Sequence, residues 1–414
     1  MKRLIFTFII FQVALMINAQ EINSEYIQKH TRYFTIQQGK IQGKGLKIFK
    51  DMTKNSQFIN LGETHGSKEI SLITQAMIDL LIKNNFHYFA LEVGPHSADV
   101  LSRLSADASK TVTNLNKFNS TYSVDGGGET AVPIPFFEHV SDAEFLQKAR
   151  QEKMQLWGLD QEYYYSTFFL MDEMMRTIKG TSKASKIERL KLLAQQSMFK
   201  HYMAEAQNKI DDPFPLILQE ESVLNFFNAF EKDNTKAQAI IKDLKITWDI
   251  YSRWRKGSHQ DRISYMRNNF IESYNKAIVK GETPKVFTKI GSAHASKLIS
   301  NSSYDVGSLT EELAKANGTK SISINTWVPF SKTDKGVVKN VDRYYSYKRF
   351  QEFFALAKQD EYAIIDLQKI REDVESGKVK LPTDGAYHAM RMLLYGYDYQ
   401  IMLPLSEGTV LNRK

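Results

Sequence analysis

A glutamate two residues before a histidine, in QFINLGETHGSKEI, could fix an imidazole in one tautomer and let it take a proton from water. Phe58, Ile59 and Leu61, ahead of the pair Glu63 and His65, read as a short buried strand. Behind it, Ile70, Ile73, Met77, Leu80 and Leu81 recur at helical spacing. The pair therefore sits at a strand-to-helix junction, where open α/β sheets present ligands. By itself, such a junction is as readily a polar turn as half of an active site.

Three further apolar runs end the same way. HYFALEVG (87–94) carries Glu92, KMQLWGLDQ (153–161) carries Asp160, and KVFTKIGSAH (285–294) closes on His294. Taken singly, each residue has a plainer reading. Glu63 or Glu92 could satisfy backbone amides at a helix start, and Asp160 could cap the helix carrying Tyr163 to Tyr165. In a parallel sheet, however, all four strand ends lie along one edge, so residues far apart in sequence converge. His87, His96 and His139 lack that placement and read as surface or packing residues.

Two chemistries suit such a cluster. In one, a histidine oriented by glutamate activates water against a carbonyl, and no cofactor is required. In the other, His65, Glu92 and His294 hold one divalent metal that activates the water. The chain has no G-x-S-x-G elbow, no H-E-x-x-H and no G-K-[ST] loop, which sets aside serine hydrolases, zincins and P-loop enzymes.

To position these residues the chain must be α/β, with a mostly parallel central sheet flanked by helices. KSISINTWV (320–328) and YAIIDL (362–367) add further runs read as buried parallel strands. One amphipathic helix between the first two strands suits a right-handed crossover. Residues 105–140, centred on VDGGGETAVPIP, read as a long loop. Residues 162–282 hold no convincing strand and read as four or five helices, an insertion or cap. The C-terminal AYHAMRMLLYGYDYQIMLPL reads as a docked helix or strand.

The opening MKRLIFTFIIFQVALMINAQ pairs Lys2 and Arg3 with an apolar stretch and Ala19, the pattern of a signal peptide over 1–19. The expectation is an exported protein, periplasmic or extracellular, with residues 20–414 as one domain. No other run approaches a membrane span. The absence of cysteine excludes disulfides and thiolate chemistry and suits a bacterial exported protein. The net charge of +8 is interspersed with acids, so no nucleic-acid arm stands out. The expected partner is a small-molecule ester or peptide substrate.

LGETHGSKEISLITQAMIDLLIKNNFHYFALEVG resembles the opening motif of the erythromycin esterase family: a strand ending in Gly-Glu and a histidine, one helix, then a strand ending Ala-Leu-Glu. WGLDQEYYYS (157–166), DRISYMRNNF (261–270) and KIGSAHASK (289–297) are similar to its later motifs, in order, so the likeness spans about residues 57–300. More remotely, the layout resembles Tiki/TraB-type proteins and haem-associated, ChaN-like iron-uptake lipoproteins. The resemblance implies ester hydrolysis, with macrolide lactone opening the named case. It implies His65 as the catalytic histidine acting on water, Glu63 and Glu92 assisting, and His294 near the leaving group or carbonyl oxygen. Lys68, Asp160 and Arg262 would then contact substrate. Lys68 stands where the family carries an arginine, losing the planar fork, and Asp261-Arg262 reverses the family's order. These departures bear on macrolide specificity more than on the fold. The remoter resemblances imply two alternatives, a metal-dependent peptidase or amidase and a non-catalytic metal- or haem-binding protein.

Overall fold

The computed structural model describes residues 20–126, 129–279, 283–332, 336–340, 348–407 and 409–413. The expected signal peptide lies outside the described residues. The central sheet consists of β1 Thr31–Gln37, β2 Lys40–Gly43, β3 Phe58–Glu63, β4 Phe86–Leu91, β5 Gln155–Gly158, β6 Lys285–Gly291, β7 Ser321–Trp327, β8 Tyr362–Asp366 and β9 Tyr399–Met402. Their spatial order is β2-β1-β8-β9-β7-β3-β6-β4-β5. From β9 to β5 every neighbouring pair is parallel.

The reading of 362–367 as a parallel strand is corrected. β8 is a buried strand, but it runs antiparallel to β9 and to β1. An apolar run encodes burial and not direction. Direction is set by the connection, and the described part of the connection from β7 holds as helix only the short turns Lys348–Phe350 and Gln351–Phe354, and no crossover helix.

The strands read as apolar because both faces of the sheet are covered. On one face Ile59 and Leu61 pack with Ile70, Ile73 and Met77 of α1 (Lys68–Ile82). On the other, Phe58 packs with Met266 and Phe270. Further helices are α2 Pro95–Leu104, α3 Thr111–Tyr122 and α4 Val140–Gln151. The presence of α3, followed by a small hairpin (Val124–Gly126 with Glu129–Ala131), corrects the reading of 105–140 as a loop. Its polar composition concealed a short apolar stripe, Leu115 and Phe118, which packs into the core with Phe169.

Residues 162–282 are helical, as expected, but with six α-helices among the described residues where four or five were read: α5 Thr167–Arg176, α6 Ala184–Ala206, α7 Phe214–Ile217, α8 Glu221–Asn228, α9 Thr235–Ser252 and α10 His259–Val279. After β6 come α11 (Val306–Ala316) and, near the end, α12 (Tyr387–Gly396), which leads into β9. The C-terminal segment is thus a helix and a strand in turn.

Candidate active site

Strand register brings the site together. In the β3–β6 pairing Glu63 lies opposite Gly291, and in the β4–β5 pairing Leu91 lies opposite Gly158, so Glu92 and Asp160 follow on one edge. The turn after Glu63 is pinned by β7. The Thr64 backbone N–H donates to Thr326 Oγ1 (3.2 Å), and Thr64 Oγ1 donates to the Thr326 carbonyl (3.0 Å). Gly66 then takes φ +80°, a conformation that favours glycine. Gly62 serves close packing instead, because a Cβ there would meet the Ile324 carbonyl at 2.8 Å.

His65 Nδ1 lies 3.2 Å from Glu63 Oε1, and Lys289 from β6 ion-pairs with the other oxygen of Glu63. Burial by itself would raise the Glu63 carboxyl, but Lys289 and His65 overcome it and hold the group below the ordinary carboxylate range. Partial burial likewise depresses the His65 imidazole, yet the bond and charge of Glu63, with the charge of Glu92, leave it raised. With its Nδ1–H donated to an ionised glutamate, the neutral imidazole presents Nε2 as its free base. That side chain remains 45% exposed and stacks on Phe136, ring centroids 4.2 Å apart. Phe136 itself holds φ +64°, an unusual conformation for a bulky residue and one that costs about 1–3 kcal/mol.

Glu92 is the centre of a second, buried network. Its Oε2 accepts the Gly291 backbone N–H at 2.5 Å, and its Oε1 accepts from Arg262 Nη2 at 2.9 Å. His294 Nε2 lies 3.3 Å from the same Oε1, while His294 Nδ1 lies 2.6 Å from Asp305 Oδ2. Burial opposes the charged imidazole, but the two carboxylates outweigh it and raise His294 to about 10. His294 is therefore an imidazolium at neutral pH, and both its ring nitrogens donate. Arg262 forks onto Asp160 through Nε (2.9 Å) and Nη2 (2.6 Å). The two networks meet over Gly291: a Cβ built there would lie 3.1 Å from His65 Nε2 and 3.3 Å from Glu92 Oε2.

Six of the seven residues singled out, namely Glu63, His65, Glu92, Asp160, Arg262 and His294, thus join one continuous cluster. Lys68 opens α1 and makes no hydrogen bond or ion pair with it among the described residues. The reading of Asp160 as a helix cap is corrected: Tyr163 takes the N-cap of the turn Tyr164–Ser166, and Asp160 holds Arg262 instead. His96 pairs with Asp243 (2.9 Å), and His139 caps α4 beside Asp142 (3.2 Å), consistent with packing roles. Sequence reasoning missed Lys289 and Asp305. A lysine inside the apolar KVFTKIG was a visible signal, because a buried lysine requires a partner. Asp305 showed only as the N-cap of α11, where Oδ1 accepts the Val306 N–H at 2.7 Å.

The donor set expected for a metal does not fit one. His294 turns both nitrogens to carboxylates, and Glu92 is held by Arg262, His294 and a backbone N–H.

The sheet and the cluster at its carboxyl edge define an α/β protein with a histidine–carboxylate centre built from separate strand ends. No family model matches the sequence, and no curated protein matches it. Solved structures do match in fold. A variant of the erythromycin esterase EreC, in its open conformation, superposes with a TM-score of 0.55 at 14% identity, over 92% of this chain and 98% of that one. A Bacillus cereus protein (TM-score 0.52, 14% identity) covers 93% of this chain and 97% of its own. A succinoglycan biosynthesis protein gives 0.52 and 14%, over 94% and 97%. The chain therefore has an erythromycin esterase-like fold along nearly its whole length.

Proposed function

We propose that this chain is a hydrolase that directs water at an ester or related carbonyl carbon, with His65 as general base. The observation that carries this reading is His65 itself: Nδ1 against an ionised Glu63 and Nε2 facing the space over Gly291 that Glu92 Oε2 shares. Water hydrogen-bonded to Nε2 loses a proton to it as the oxygen adds to the carbonyl carbon. Charge developing on the carbonyl oxygen is met by Arg262, which Asp160 and Glu92 hold at the cavity wall. Collapse of the tetrahedral intermediate breaks the ester bond, and the proton on His65 passes to the departing alkoxide. His294 acts through Glu92 as a buried cation that keeps that carboxylate ionised. The N-terminal pattern supports export, which would place the substrate in the periplasm or outside the cell.

The test is a panel of simple aryl and alkyl esters, with amides beside them, assayed with and without chelator. Turnover unchanged by chelator is expected. Activity lost on chelation and restored by manganese, cobalt or zinc would favour the metallopeptidase reading. Stoichiometric uptake of metal or haem with no turnover would favour a binding protein.

Two expected results follow from the geometry. Because His65 must be neutral to act and is raised above 6.5, kcat/KM should climb with pH through a midpoint above 6.5. A profile flat from pH 5 to 8 would remove His65 as the base. Gly291→Ala should leave a folded protein whose turnover falls roughly ten-fold, since the added methyl pushes on both His65 Nε2 and Glu92 Oε2. Unimpaired turnover in that variant would mean that this space is not where the reaction occurs.

A further inference from the structure

Beside His65 lies a cavity of about 330 Å³ that the proposed reaction leaves unexplained beyond its Arg262 wall. Phe136, stacked on His65, separates the two, and Tyr163, Tyr251 and Trp254 supply further aromatic surface. Its polar lining is mixed, with the Arg262 guanidinium and the Tyr163 and Tyr251 hydroxyls beside the carboxylates of Glu138 and Asp160 and the amide of Gln161. Among the described residues, Glu138 Oε2 and Gln161 Oε1 are buried oxygens with no hydrogen-bond partner. Gln161 is only 3% exposed and also hydrogen-bonds Tyr251. A buried acceptor left unpaired costs about 1–3 kcal/mol, so a ligand that brings a donor to Glu138 Oε2 and Gln161 Oε1 gains by pairing them.

We propose that this cavity binds a cationic amine, an alkylammonium or quaternary ammonium group carried by the substrate a short distance from its scissile carbonyl. This inference rests on the hydrolase reading only for the word substrate; the binding site stands apart from it. Aromatic walls attract a cation through their ring faces, and one carboxylate supplies the counter-charge. Arg262, the cation bordering the cavity, is already matched by Asp160 and Glu92. Burial raises the Glu138 carboxyl, as expected for an acid that lacks a counterion.

A metal ion is the competing occupant, because Glu138, His139 and Asp142 offer ligand atoms within 4.8 Å of one another. Asp142 is already engaged: it accepts Ser71 Oγ at 2.6 Å and, from the first turn of α4, the N–H of the capping His139 at 3.1 Å. His139 turns its Nδ1 to Asp142, and of the three only Glu138 lines the aromatic cavity. Its backbone is fixed by the C-terminal tail, where the Asn412 N–H donates to the Glu138 carbonyl at 2.6 Å.

Choline and its neutral isostere 3,3-dimethylbutan-1-ol test the proposal by calorimetric titration of the full chain, with no turnover needed. Choline should bind about ten-fold tighter than the alcohol, which is about 1.4 kcal/mol. Glu138→Gln should cut that preference to about two- to three-fold, the share the aromatic walls supply, while leaving the alcohol's affinity unchanged. Trp254→Ala, at an exposed position, should weaken choline in a chain that remains folded. Equal binding of the two probes, or choline binding indifferent to Glu138→Gln, overturns the site. Tight binding of manganese or zinc that Glu138→Gln removes, without choline binding, overturns it in favour of a metal. Ester turnover that depends on His65 with no choline preference refutes the cavity alone; choline binding without turnover refutes the hydrolase alone.

Discussion

Replacing His65 by alanine is expected to lower kcat/KM about 10²–10⁴-fold on any ester the protein turns over, the usual contribution of a positioned general base. The fold should survive, because the ring is 45% exposed and its contacts are to Glu63 and Phe136 rather than to the core. His65→Gln is the sharper variant, since it keeps a hydrogen bond to Glu63 but offers no base of suitable pKa. The residual rate of either variant should lose the acid limb of the pH profile. If His65→Ala hydrolyses a responsive ester at the wild-type rate, the assignment fails. Lys289→Met should have a smaller effect of the same sign. It removes the cation that keeps Glu63 ionised, so Glu63 would hold His65 in one tautomer less firmly.

What the sequence disclosed follows from what period and residue type encode. Phe58, Ile59 and Leu61 announced a buried strand because the sheet is covered on both faces, and each strand end carried its ionisable residue openly. Convergence was legible too, since parallel register leaves Glu63, Glu92, Asp160 and His294 few other places to lie. Two kinds of fact were hidden. Direction was one: β8 is as apolar as its neighbours, yet it runs the other way because of the connection before it. Partnership was the other. No sequence period links His294 to Asp305, or Glu63 to Lys289, and those pairings turn His294 into a cation and Glu63 into a fixed anion. His294, read from sequence as a second catalytic group, thus faces a carboxylate at each ring nitrogen.

The stability of the cluster makes the second large effect. Glu92→Ala should destabilise the protein by about 3 kcal/mol, read as a lowered denaturant midpoint with unchanged slope. The figure sits at the low end for a broken buried ion pair for a structural reason. Arg262 keeps Asp160 and His294 keeps Asp305, so neither cation is left wholly unmatched. A loss below about 1 kcal/mol would mean that Glu92 behaves as a solvent-screened surface charge. The dependence on pH has a definite sign. Glu92 is depressed from 4.5, so its contribution is present above 4.5 and fades only in strong acid. His294 is raised from 6.5 to about 10, so its contribution is complete below 6.5 and is lost as pH rises toward 10. The network therefore stabilises most between pH 4.5 and 6.5 and weakens on the alkaline side. Removing Glu92 takes away one of the two carboxylates that raise His294, so the variant should lose less stability than wild type between pH 6.5 and 9. A steeper alkaline loss in Glu92→Ala than in the parent would show that the imidazolium is not held by Glu92.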